Sequence, residues 1–98
     1  MKYRNSRYEI AYKYLQEILY NPKINKTNLM YNVNVSSSSI TYIIKYFKDN
    51  EYVETRMKQQ YLTHKGQELY AKLSFLIYNI GLEDFHIEWH KTEQNDIL

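Results

Sequence analysis

The sequence predicts a small, mainly α chain of the α+β kind, in the order helix, helix, helix, strand, loop, strand, helix. Three observations predict it. Apolar residues recur at helical spacing in four segments, each segment opens on a residue able to cap a helix, and two short runs of strand-forming residues separate the third segment from the fourth.

Ser6-Arg7-Tyr8-Glu9 has the S-x-x-E spacing of a capping box, in which the Ser6 hydroxyl accepts from the Glu9 N–H and the carboxylate reaches back. Ile10, Ala11, Tyr14, Leu15, Ile18 and Leu19 then fall on one helical face. Pro22 stops the helix and pushes Asn21 out of the α region, so the first helix runs from Arg7 to about Tyr20. Asn25 or Thr27 caps a short second helix through about Asn32, with Leu29, Met30 and Val33 inward. Asn32-Val33-Asn34-Val35 is too brief for a useful strand, and its asparagines tolerate left-handed turn geometry. Ser36 or Ser37 caps a third helix whose buried face is Ile40, Ile43, Ile44 and Phe47, with the exit at Asp49-Asn50.

Tyr52 to Thr55 and Gln60 to Leu62 carry strand-type residues around Arg56-Met57-Lys58-Gln59. The connector has no glycine, so a longer loop is expected in place of a tight primed turn. Thr63 caps the last helix, where Leu69, Leu73, Leu76 and Ile80 follow at steps of four, three and four, up to a stop at Gly81. From Leu82 onward, Leu82, Phe85 and Trp89 fit a helix, whereas Phe85, Ile87 and Trp89 alternate like a strand. A short helix through about His90 and a frayed tail is the expectation.

A chain of 98 residues, 44% hydrophobic and 24% charged, is expected to form one globular core. At that length burial alone leaves stability thin, and a second copy would help. No apolar run approaches a membrane span, no signal peptide is visible, and the absence of cysteine removes disulfide and thiolate chemistry, so a cytoplasmic location is expected. Tyrosine occurs 12 times; codon bias accounts for this more readily than contacts to phosphates or bases do. The net charge is +2, but its distribution is uneven. Residues 1–65 hold eight Lys and three Arg against five acids, a net of +6, and residues 66–98 hold two Lys against six acids, a net of −4. A basic working half and an acidic half facing elsewhere is the natural division.

Ile24-Asn25-Lys26-Thr27-Asn28-Leu29-Met30, then Tyr52-Val53-Glu54, then Tyr61-Leu62-Thr63-His64-Lys65-Gly66 resembles prokaryotic, especially archaeal, winged helix-turn-helix proteins over roughly residues 6–80. The resemblance implies that the third helix is a recognition helix, that the hairpin is a wing, and that a long C-terminal helix pairs with its mate as a coiled coil. An archaeal or archaeal-virus source is compatible with the composition. The group usually has Gly after the recognition helix; Asn50-Glu51 stands there in this sequence, and Asn50 is expected to supply the left-handed turn.

The third helix suits a major groove. Ser36, Ser37, Ser38 and Ser39 leave its N-terminus unobstructed, its free N–H groups attract phosphate, and Thr41, Tyr42, Lys45 and Lys48 lie outward or on the flanks. It lacks an Arg, Asn or Gln near its start, so bidentate base readout is missing and recognition should be weakly selective or shape-dependent. Arg56, Lys58, Gln59 and Gln60 form a polar wing suited to phosphates or the minor groove, and Lys2, Arg4 and Arg7 are candidates for an extending arm.

Residues 1–65 are thus assigned to DNA binding and 66–98 to dimerisation, through Leu69, Leu73, Leu76, Ile77, Ile80, Phe85 and Trp89; closure of the monomer core is the competing role for this seam. The expected partners are double-stranded DNA and a second copy, as a transcriptional regulator or a weakly specific architectural protein. A winged helix used for protein contact is the competing function. No cofactor or small-molecule ligand is implied. His86 and His90 share helical spacing but lack a third ligand, no phosphate loop or nucleophile motif occurs, and an enzyme is not expected.

Overall fold

The computed structural model describes residues 6–78. Ser6 caps α1 (Arg7–Tyr20) with the full capping box: its Oγ accepts from the Glu9 N–H and its own N–H donates to Glu9 Oε1, each at 3.1 Å. Asn25, with its side chain accepting from the Asn28 N–H at 2.8 Å, caps α2 (Lys26–Val33). At the other end Asn34 sits in the left-handed region (φ 64°), and the Val35 N–H returns to the Met30 carbonyl. This closure turns the chain into α3 (Ser37–Asp49), whose cap is Ser36.

The exit from α3 differs from the expectation at Asn50. That residue stays at φ −94°, and Glu51 takes the left-handed position at φ 64°. The hydrogen bonds explain why: the Tyr52 N–H reaches the Phe47 carbonyl and the Glu51 N–H reaches Lys48, the Schellman arrangement with Glu51 at C′. The accompanying apolar contact is Tyr52 on Phe47, with ring centroids 5.6 Å apart. Tyr52 therefore closes the helix, and the strand begins one residue later.

Strands β1 (Val53–Arg56) and β2 (Gln59–Leu62) pair antiparallel, with Val53 opposite Leu62 and Arg56 opposite Gln59. The hairpin corrects the loop expectation. Only Met57 and Lys58 lie between the paired strands, both left-handed at φ 51° and 66°, as a primed two-residue turn requires. The turn forms without glycine, and two L-residues carry the strain, of order 1–2 kcal/mol each. The register leaves no alternative. Val53 and Leu62 are in the core, and the Gln60 N–H is bound to the Pro22 carbonyl at 2.9 Å, so the strands cannot slip to lengthen the loop.

Helix α4 (His64–Tyr78) begins where Thr63 Oγ1 accepts from the Gly66 N–H at 3.0 Å. The same hydroxyl donates to the Glu51 carbonyl, and the Thr63 N–H donates to Tyr52. Lys65 donates to the Asn50 carbonyl and lies over the Tyr52 ring at 4.6 Å. A Cβ on Gly66 would stand 2.1 Å from the Tyr52 carbonyl oxygen, so only glycine admits this close approach.

The core gathers Leu15, Ile18, Leu29, Val33, Ile40 and Phe47 from the three helices with Val53, Leu62 and Leu73. Ile43 and Ile44, expected on the buried face of α3, are only half-buried, because the inward stripe narrows to Ile40 and Phe47. Tyr14 is fully buried against Phe47, its hydroxyl donating to Gln60 Oε1 at 3.3 Å, and burial pushes its pKa up. Between α1 and α4, Tyr12 and Tyr70 stack at 5.0 Å with Gln16 donating to both hydroxyls. No helix among the described residues is long and apolar enough to cross a membrane.

Candidate nucleic-acid interface

Two adjoining elements carry the candidate residues: the outer face of α3 and the hairpin joined to it by the Glu51-Tyr52 turn. On α3 the inward pull of Ile40 and Phe47 leaves Ser36 to Ser39, Thr41, Tyr42, Lys45 and Lys48 all exposed. They are not equally available. Ser36 Oγ is engaged as the cap, accepting from the Ser39 N–H at 3.2 Å and donating to Ser39 Oγ at 3.0 Å. Thr41 Oγ1 donates back to the Ser37 carbonyl at 3.0 Å. Lys45 pairs with Asp49 at 2.7 Å, and that hydrogen bond, then its charge, raises the lysine pKa. Lys48 has no hydrogen-bond or ion-pair partner among the described residues and is the more available cation. Tyr42 and Tyr46 stack at 6.2 Å along the exposed flank.

The hairpin divides by face, as the two-residue period of a strand requires. The inner face holds Val53 and Leu62 in the core and Gln60 beneath the Tyr14 hydroxyl, so the Gln60 side chain serves the fold. The outer face links Glu54, Arg56, Gln59 and Tyr61. Arg56 lies over the Tyr61 ring at 4.2 Å and its Nε meets Glu54 at 3.3 Å, while the Tyr61 hydroxyl donates to Gln59 at 2.6 Å. An exposed pair such as Arg56–Glu54 is worth little and can be exchanged for a phosphate. Lys58 projects from the turn itself, beside Met57, which is 92% exposed. A lone apolar residue in a polar loop gives no periodic signal, so spacing alone does not single out Met57.

Tertiary packing adds a second feature that spacing could not show. The start of α1 faces the start of α3 across a cleft of about 670 Å³, lined by Arg7, Tyr8, Ser38, Ser39 and Tyr42 with Ile10, Ile43 and Leu73. Of the arm candidates, Arg7 therefore adjoins the α3 face; Lys2 and Arg4 lie outside the described residues.

The leucine seam of α4 is split by burial. Leu73 is in the chain's own core, Leu69 and Ile77 pack partly against it, and Leu76 and Phe75 are exposed at 66% and 48%. Ile80, Phe85 and Trp89 lie outside the described residues, as do His86 and His90. Among the described residues no group of His, Asp or Glu is arranged to hold a metal ion.

The winged helix-turn-helix family model matches residues 4–79, so the chain belongs to the winged helix-turn-helix family. Membership points to DNA binding. No curated protein matches the chain.

Proposed function

We propose that this winged helix-turn-helix protein binds duplex DNA as a homodimer and acts as a transcriptional regulator. The observation that carries the reading is the outer face of α3. Its serines, Thr41, Tyr42 and lysines are all exposed on a helix anchored from behind by Ile40 and Phe47. The wing, with Arg56 and Lys58, is joined to that helix by a hydrogen-bonded turn, so the two surfaces can meet one duplex as a unit. Small side chains at the start of α3 allow close approach to base edges while its N–H groups favour phosphate. The same residues offer few bidentate contacts. Affinity then rests on phosphates, and sequence preference rests on DNA shape and on half-site spacing of about 34 Å in a dimer.

Dimerisation is supported by Phe75 and Leu76, which stand exposed on α4 where a second copy could cover them. Leu76→Asp is expected to shift the molar mass measured by light scattering from dimer to monomer and to weaken DNA binding with it.

The test of DNA binding is a titration of a labelled duplex at two or more salt concentrations. With about six phosphates neutralised per dimer, the log–log slope should be about −5. A salt-independent affinity, or no retardation of duplex by a dimeric protein at low salt, would favour a protein-docking module. Selection from random duplexes separates a regulator, which enriches a two-fold symmetric site, from an architectural protein, which enriches none.

A further inference from the structure

We propose that Met57 is an apolar wedge, delivered by the wing into the minor groove to unstack a base step and bend the duplex. The inference rests on the DNA-binding reading above and adds a mechanism to it.

The fold itself does not account for a methionine here. Both turn residues are left-handed, a geometry that favours Asn and Gly, yet the positions hold Met57 and Lys58 at φ 51° and 66°. Its side chain, 92% exposed, has no packing role that would offset the strain. An exposed, strained residue that contributes nothing to the core is a candidate for function.

The surroundings suit one target. Met57 stands between Arg56 and Lys58, so an apolar tip is flanked by two cations. That matches a minor groove, where phosphates line both edges and the apolar surface of a base step lies between them. The tip is also firmly backed. The two-residue turn leaves no slack, and Gln60 ties β2 to Pro22 and Tyr14. A hairpin held in this way can press a side chain against a stacked step without folding back.

The experiment uses the full chain and a 30-base-pair AT-rich duplex whose centre carries a TpA step, the kind most easily unstacked. End labels report bending by energy transfer, and 2-aminopurine at the step brightens when it unstacks. The wild-type protein should shorten the end-to-end distance and brighten the probe. Met57→Ala should bind within roughly tenfold of wild type but leave the duplex straight and the probe dark. Met57→Leu should retain both signals. Met57→Gly, which relieves the left-handed strain, should fold at least as stably and still fail to bend, separating the wedge from any loss of fold. Bending by Met57→Ala equal to wild type, or wild-type binding without bending, would overturn the wedge and leave the DNA-binding reading standing. Failure of the wild-type protein to bind duplex at all would overturn both.

Discussion

The junction between α3 and α4 and the tip of the wing are both tight connections, and they are built on opposite terms. At the junction most residue identities are accounted for by a contact, Glu51 excepted, where only the backbone is used. Glu51 and Tyr52 close α3, Thr63 caps α4, Lys65 holds the Asn50 carbonyl, and Gly66 admits the Tyr52 carbonyl. At the wing tip the backbone is just as constrained, but the Met57 and Lys58 side chains touch nothing that explains them. The lesson bears on the phrase Tyr61-Leu62-Thr63-His64-Lys65-Gly66, the most specific part of the resemblance. Most of it is folding chemistry, and the candidate interface lies where the fold leaves side chains free.

Gly66→Ala tests the junction most severely. Its methyl would meet the Tyr52 carbonyl at 2.1 Å, and backbone on both sides would have to move. A loss of about 3 kcal/mol or more is expected, read as a fall in melting temperature of more than about 12 °C. A tolerated alanine would break the comparison, because the junction would then be no more constrained than the tip.

Gln60→Ala asks whether the inner face of the hairpin belongs to the fold. Removing the acceptor strands the buried Tyr14 hydroxyl, at a cost of about 1–3 kcal/mol, and adding Tyr14→Phe should recover part of it. Stability that is unchanged, with DNA affinity reduced, would assign Gln60 to the interface instead. Ser36 and Ser38 repeat the contrast within one helix start. Ser36→Ala should cost about 1 kcal/mol in chemical denaturation because Ser36 is the cap, whereas Ser38→Ala should stay within about 0.5 kcal/mol and weaken DNA binding.

Glu51→Gly carries a small effect of the opposite sign. Glycine relieves the left-handed position but loses more chain entropy on folding, leaving a gain of about 0.5–1 kcal/mol, visible as a higher denaturation midpoint. A loss of stability would show that the Glu51 side chain does something at this corner that its backbone does not reveal.

Element identity and order were legible before the structure because they depend on short-range chemistry. Ser6 with Glu9, Asn25, Ser36 and Thr63 each mark a helix start through a hydrogen bond to a residue three places on, and Pro22 stops α1 by geometry of its own. The candidate site was legible in part. Periodicity alone places Ser37, Ser38, Tyr42 and Lys48 outward or on the flanks of α3, away from Ile40 and Phe47. It does not distinguish Lys48 from Lys45, whose charge is engaged by Asp49.

Only tertiary structure could decide the rest. The wing turn tightens to two residues because core anchors at Val53 and Leu62 and the bond from Gln60 to Pro22 fix the register over distances no local pattern spans. Glu51, and not Asn50, becomes left-handed because the bond from Tyr52 back to Phe47 selects the residue that must turn. The leucines of α4 divide between core and surface according to where α1 lies across them. By itself the sequence determined which segments would be helix and strand and which faces would be apolar, since those follow from residues a few places apart. Packing decided which side chains serve the fold over long separations, because Gln60 meets Tyr14 and Lys65 meets the Asn50 carbonyl only once the chain has folded.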